Sequence, residues 1–80
     1  MEITILGFGI AKDILGAHQI TLTIETNATV THLRRHLEEH YPRLAQIKSY
    51  VIAVNHTYAL PDSPLHPTDE VAIIPPVSGG

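Results

Sequence analysis

Glu70-Val71-Ala72-Ile73-Ile74-Pro75-Pro76 is the stretch that decides the fold. Its alternation puts Val71 and Ile73 on one face of a strand and Ala72 and Ile74 on the other. Pro75 and Pro76 then stop the pairing, because neither residue can donate a ladder hydrogen bond. Outward from this strand the chain reads backwards through punctuation. Pro67-Thr68-Asp69 is a turn and Pro61-Asp62-Ser63-Pro64 a loop. Before them, Tyr50-Val51-Ile52-Ala53-Val54 is a continuous β-branched and aromatic run, the pattern of a buried strand, followed by turn residues Asn55-His56 and a short segment Tyr58-Ala59-Leu60.

At the other end, Glu2 to Leu6 alternates with Ile3 and Ile5 on one face, and Gly7 and Gly9 end it. Ile10, Ile14 and Leu15 predict a short helical turn capped by Gly16. His18 to Glu25 alternates strictly, with Ile20, Leu22 and Ile24 on one side, as a half-buried antiparallel strand does. Thr29 is a helix N-cap, and Val30, Leu33 and Leu37 build one apolar face of a helix from Val30 to His40, stopped by Tyr41-Pro42. Leu44 and Ile47 are expected to fold back onto the core. The order is two strands, one main helix, then two or three strands. One helix across one face of a mixed sheet of four to five strands is the economical way to bury Ile3, Ile5, Ile20, Leu22, Ile24, Val30, Leu33, Leu37, Val51, Val71 and Ile73 together, an α+β fold.

Eighty residues allow one small domain. The boundary is expected at residue 76, with residues 77–80 a flexible tail. There is no cysteine, so disulfides, zinc-thiolate sites and thiol nucleophiles are excluded, and a reducing compartment such as the cytoplasm fits. Five Lys and Arg against eight Asp and Glu leave a net charge of -3. With no basic run longer than Arg34-Arg35, a nucleic-acid footprint is not expected. No targeting segment or membrane span is expected either: Met1-Glu2 is acidic where a signal peptide is basic, and no apolar run nears the roughly 18 residues of a span. Charged residues make up only 16% of the chain against about 25% in a typical domain, so neutral or apolar surface is expected outside the core.

Candidate chemistry concentrates at the C-terminus. Two prolines stiffen the exit from the last strand, and Gly79 and Gly80 carry no side chains, so a terminal carboxylate can pass along a narrow channel of another protein and be activated there. A frayed terminus ending in glycines gives the same sequence. Phe8, Tyr58 and Ile74 form either a docking patch near the tail or covers for the core edge. His32, His36 and His40 recur at i, i+4, i+8 beside the Leu33 and Leu37 stripe. Neighbouring pairs can share a metal, but the outer two stand about 12 Å apart along the axis, so one ion cannot collect all three. The trio reads as a solvated flank, and no metal ligand is assigned. Asp69-Glu70 reads as turn chemistry rather than an acid-base pair.

The tail and last strand, Asp69-Glu70-Val71-Ala72-Ile73-Ile74-Pro75-Pro76-Val77-Ser78-Gly79-Gly80, together with Val54-Asn55, Tyr58, Leu65, Phe8 and the Ile10 to Gly16 turn, resemble the small subunits of molybdopterin synthase, the sulfur carriers of molybdenum cofactor biosynthesis. Thr68 stands where that family often has glycine, and Ile73-Ile74 where it often has a phenylalanine. The resemblance implies a ubiquitin-like β-grasp fold with the first and last strands parallel at the sheet centre. It implies that an E1-like adenylyltransferase uses ATP to adenylate Gly80 and that a sulfur donor converts the adenylate to a thiocarboxylate. The tail, Pro75, Pro76, Val77, Ser78 and Gly79, then enters the large synthase subunit, and the sulfur goes to cyclic pyranopterin monophosphate to build the molybdopterin dithiolene. It also implies partner docking through Phe8, Tyr58 and Ile74. Such a chain binds no cofactor and is no enzyme on its own. Sulfur carriage for thiazole synthesis or tRNA thiolation, ubiquitin-like protein modification, and a passive interaction domain are the alternatives.

Overall fold

The computed structural model describes residues 1–47 and 49–76. Its elements are β1 (Glu2–Gly7), α1 (Ile10–Leu15), β2 (Gln19–Thr23), α2 (Val30–His40), a 3-10 turn (Pro42–Gln46), β3 (Val51–Val54), β4 (Thr57–Tyr58) and β5 (Glu70–Ile74). Among the described residues these strands make one five-stranded sheet in the order β2-β1-β5-β3-β4. β1 and β5 lie parallel at its centre, and the other neighbours are antiparallel. A parallel central pair requires a crossover between its strands. Here the route from β1 to β5 runs through α2, which covers one face.

That face is the core. Ile3 and Ile5 of β1, Val71 and Ile73 of β5, Ile52 of β3 and Leu22 of β2 meet Val30, Leu33 and Leu37 of α2, all of them buried. Alternation delivers them, since residues two apart along a strand share a face. Leu44 of the 3-10 turn and Leu65 close the ends of this layer.

The α2 boundaries follow their capping residues. Thr29 is extended, its Oγ1 accepts the His32 backbone N–H, and the His32 ring accepts the Thr29 N–H in return. His32 fills the position that Glu or Gln usually takes in such a reciprocal cap. At the other end the Tyr41 N–H closes on the Leu37 carbonyl. Tyr50, buried immediately before β3, donates its hydroxyl to Glu38 Oε2 at 2.5 Å, and the Arg34 guanidinium lies 4.4 Å over its ring. Burial and the bond to Glu38 raise the Tyr50 pKa well above the usual phenol range.

Several expectations shift. Val51 does not join the core: it pairs with Ile74 on the far face, and Ile52, paired with Ile73, takes the buried place. A continuous apolar run has no internal phase, so only the cross-strand register assigns its faces. Ile20 is half-buried because β2 is an edge strand, and β2 pairs over Gln19–Thr23 rather than from His18 to Glu25, although Ile24 stays buried and bonds to Met1. The short strand after the hairpin is Thr57–Tyr58, leaving Leu60 exposed.

Candidate functional site

Among the described residues, no helix lies over the second face of the sheet. Cross-strand register lays one row of residues across it, Leu6 beside Ala72, Ala72 beside Ala53, and Ala53 beside Tyr58. Val51 and Ile74 form the next row. Because Ala53 and Ala72 carry only methyl groups, the middle of the face is low. The result is a groove of about 360 Å³ with Leu6, Ala53 and Ala72 in its lining, together with Phe8, Tyr58 and Ile74.

The three expected docking residues are thus brought together. Phe8 is 51% exposed and Tyr58 72% exposed, while Ile74 is half-buried. Phe8 and Tyr58 are two large aromatic side chains standing open on one apolar face, whereas Ile74 is partly covered. The sequence reading did not include Leu6, Ala53, Ala72, His56 or Glu70 among the lining. The signal for Leu6 and Ala72 was present in strand parity, because both alternate with buried neighbours.

One wall of the groove is polar. His56 Nε2 stands 3.7 Å from Glu70 Oε1, with both side chains largely exposed. An exposed pair of this kind adds little stability. Behind it is a tighter network. Asn55 Nδ2 donates to Asp69 Oδ1 at 2.9 Å, the Glu70 N–H donates to Asn55 Oδ1 at 2.9 Å, and the His66 N–H donates to Asp69 Oδ2 at 2.8 Å. Burial, leaving the Asp69 side chain 10% exposed, pushes its pKa up, but the bonds from Asn55 and His66 and the nearby His66 ring outweigh it and hold the carboxyl below its ordinary value of 3.8. This carboxylate is occupied in fastening a turn, as expected for Asp69-Glu70.

The network fixes the hairpin that carries Tyr58. Asn55 and His56 have φ of 53° and 69° between the paired residues Val54 and Thr57. Two left-handed residues in a two-residue loop make a type I′ turn, whose twist suits the flanking strands. Asparagine tolerates that conformation better than most residues.

At the other end of the groove β5 leads into Pro75 and Pro76. The Pro75 ring packs on Gly9, its Cγ 3.2 Å from where a Cβ would stand, and Gly9 has φ 56° and ψ −131°, a conformation that favours glycine. The chain therefore leaves the sheet beside Phe8. Val77, Ser78, Gly79 and Gly80 lie outside the described residues. Among the described residues, no three His, Cys, Asp or Glu side chains gather to hold a metal.

Residues 5–80 match the ThiS family. The chain belongs to this family. A molybdopterin synthase sulfur carrier subunit of Arabidopsis thaliana is 33% identical over 81 residues, spanning 100% of this chain and 84% of the relative. The fold of this ThiS-family chain is the ubiquitin-like β-grasp. SAMP1 of Haloferax volcanii superimposes with a TM-score of 0.86 at 21% identity, covering 100% of both chains. A structure of the complex of subunits 1 and 2 of the molybdopterin-converting factor from Helicobacter pylori contains a chain that superimposes with a TM-score of 0.72 at 23% identity, again over 100% of both. For this ThiS-family member the resemblance read from Phe8 to the tail therefore holds along the whole chain.

Proposed function

We propose that this chain is a cytoplasmic sulfur carrier of molybdenum cofactor biosynthesis, the small and non-catalytic subunit of a molybdopterin synthase. The observation that carries the reading is the kinship, over the whole chain, with a protein named as that carrier subunit. The apolar groove supports it, because a carrier must be handed from one enzyme to another and needs a docking face beside its exit point. The complex of the H. pylori relative supports a large-subunit partner.

The chemistry belongs to Gly80. An E1-like activating enzyme joins the terminal carboxylate to the AMP of ATP and releases pyrophosphate. A sulfur donor then displaces AMP and leaves a thiocarboxylate. Docked on the large subunit through Phe8, Tyr58 and Ile74, the carrier threads Pro75 to Gly79 toward the catalytic pocket. There the sulfur passes to cyclic pyranopterin monophosphate, and water returns Gly80 to a carboxylate. The carrier needs no cofactor of its own, since ATP is spent by the activating enzyme.

Intact mass spectrometry tests this. After incubation with an activating enzyme, ATP and a sulfur source, the protein should gain the mass difference between sulfur and oxygen, and the gain should vanish when Gly80 is deleted. A gain that survives the deletion, or conjugation to protein lysines without thiocarboxylate, overturns the reading.

A further inference from the structure

Helix α2 carries three histidines, and the structure divides them. The His32 Nδ1 accepts the Thr29 backbone N–H at 3.1 Å. An accepting Nδ1 carries no proton, so the neutral ring holds its proton on Nε2, and neither nitrogen offers a free lone pair. His36 and His40 are placed differently. Four residues apart, their rings are stacked with centroids 4.5 Å apart and planes 20° from parallel.

Two imidazoles one helical turn apart on one face are the donor spacing with which a helix grips a borderline divalent ion. Face-to-face rings do not yet aim both nitrogens at one point. The torsion that turns an imidazole is broad, however, so swinging the two rings onto a common ion costs little. Glu38, between them in sequence, is engaged by the Tyr50 hydroxyl. Since no third histidine or carboxylate among the described residues gathers with the pair, the remaining coordination positions fall to water.

We propose that His36 and His40 form a two-imidazole binding site for a divalent transition-metal ion of the Zn²⁺, Ni²⁺ and Cu²⁺ class. Imidazole suits these ions and not Mg²⁺. The site lies on α2, which covers the sheet face opposite the groove, so an ion and a docked partner are held at the same time. The inference stands apart from sulfur carriage: each can fail without the other.

Isothermal titration of the full chain with zinc chloride tests it, repeated with nickel chloride. One ion is expected per chain. His36→Gln and His40→Gln should each weaken affinity by more than about tenfold, while His32→Gln leaves affinity and stoichiometry unchanged. Zinc should also raise the melting temperature of the unaltered protein with increasing concentration, because only the folded helix pairs the rings, and should leave that of either variant unmoved. Magnesium should give no heat. Absence of one-to-one binding, binding that survives either substitution, or binding lost instead on His18→Gln, His56→Gln or His66→Gln overturns the proposal.

Discussion

Asn55 and Asp69 are joined side chain to side chain, Nδ2 to Oδ1 at 2.9 Å, across the fourteen positions that separate the hairpin from the start of β5. The same asparagine accepts the Glu70 N–H, so one residue aligns both strands that border the polar wall of the groove. Asn55→Gly keeps the left-handed turn and removes both bonds. A net loss of about 1–2 kcal/mol is expected in urea unfolding at pH 7, the net worth of two such bonds.

The acid limb of stability should change with it. Because the folded pKa of Asp69 lies below its ordinary 3.8, its contribution is present above that value and is lost as the pH falls through the folded pKa. With the Asn55 donor gone, the folded pKa moves back toward the unfolded one. Unfolding followed from pH 5 to pH 2 should therefore show a shallower loss of stability in Asn55→Gly than in the unaltered protein. Equal slopes would place the depression elsewhere.

Gly7 is set by a close approach. A Cβ there would stand 2.9 Å from Leu15 Cδ1 and 3.1 Å from the Lys12 Cα and N. The leucine tip can turn aside, but the α1 backbone cannot without lifting from the sheet. Gly7→Ala is expected to cost about 1–3 kcal/mol by overpacking, read from the urea midpoint.

Where the chain carried a phase, the sequence was legible. Val71 and Ile73 alternate with Ala72 and Ile74, and Thr29 and Tyr41-Pro42 bracket α2, so faces and boundaries followed from residue type. Val51 and Ile52 carried no phase, because every residue from Tyr50 to Val54 is apolar, and the core residue there emerged only from the register Ile52 to Ile73. The groove was half legible. Its rims are large and conspicuous, but its floor is two alanines whose meaning lies in being cross-strand neighbours. The split of the three histidines was out of reach for the same reason, since it depends on which ring nitrogen meets Thr29.

The exposed rims and the buried core should separate in experiment. Phe8 and Tyr58 stand open, so Phe8→Ala or Tyr58→Ala should leave thermal unfolding nearly unchanged. If the proposed docking on a large synthase subunit is right, each should weaken capture by that subunit by about 1–2 kcal/mol, a factor of roughly 5–30, as loss of an aromatic anchor does. Leu37→Ala, at a fully buried position, should instead cost about 2–5 kcal/mol of folding stability. Surface plasmon resonance against the large subunit, paired with calorimetry, distinguishes them. Unfolding of Phe8→Ala, or unchanged affinity, would show that the aromatic ring serves the fold rather than docking.

His32 offers the last test, at the entrance to α2. Its ring accepts the Thr29 N–H at 3.1 Å while Thr29 Oγ1 faces the His32 N–H at 3.4 Å, and the first turn holds no acidic residue. A glutamate at this position restores the usual reciprocal cap and adds a negative charge where the helix dipole is positive. His32→Glu should therefore stabilise the protein by about 0.5–1 kcal/mol at low ionic strength, and part of the gain should disappear in high salt as the charge is screened. His32→Ala leaves the Thr29 N–H without its acceptor and should lose about 0.5–1 kcal/mol. If the glutamate variant gains nothing and the alanine variant loses nothing, the α2 entrance is held instead by the bonds that Val30 and Thr31 N–H make to the carbonyls of Ser63 and Pro61.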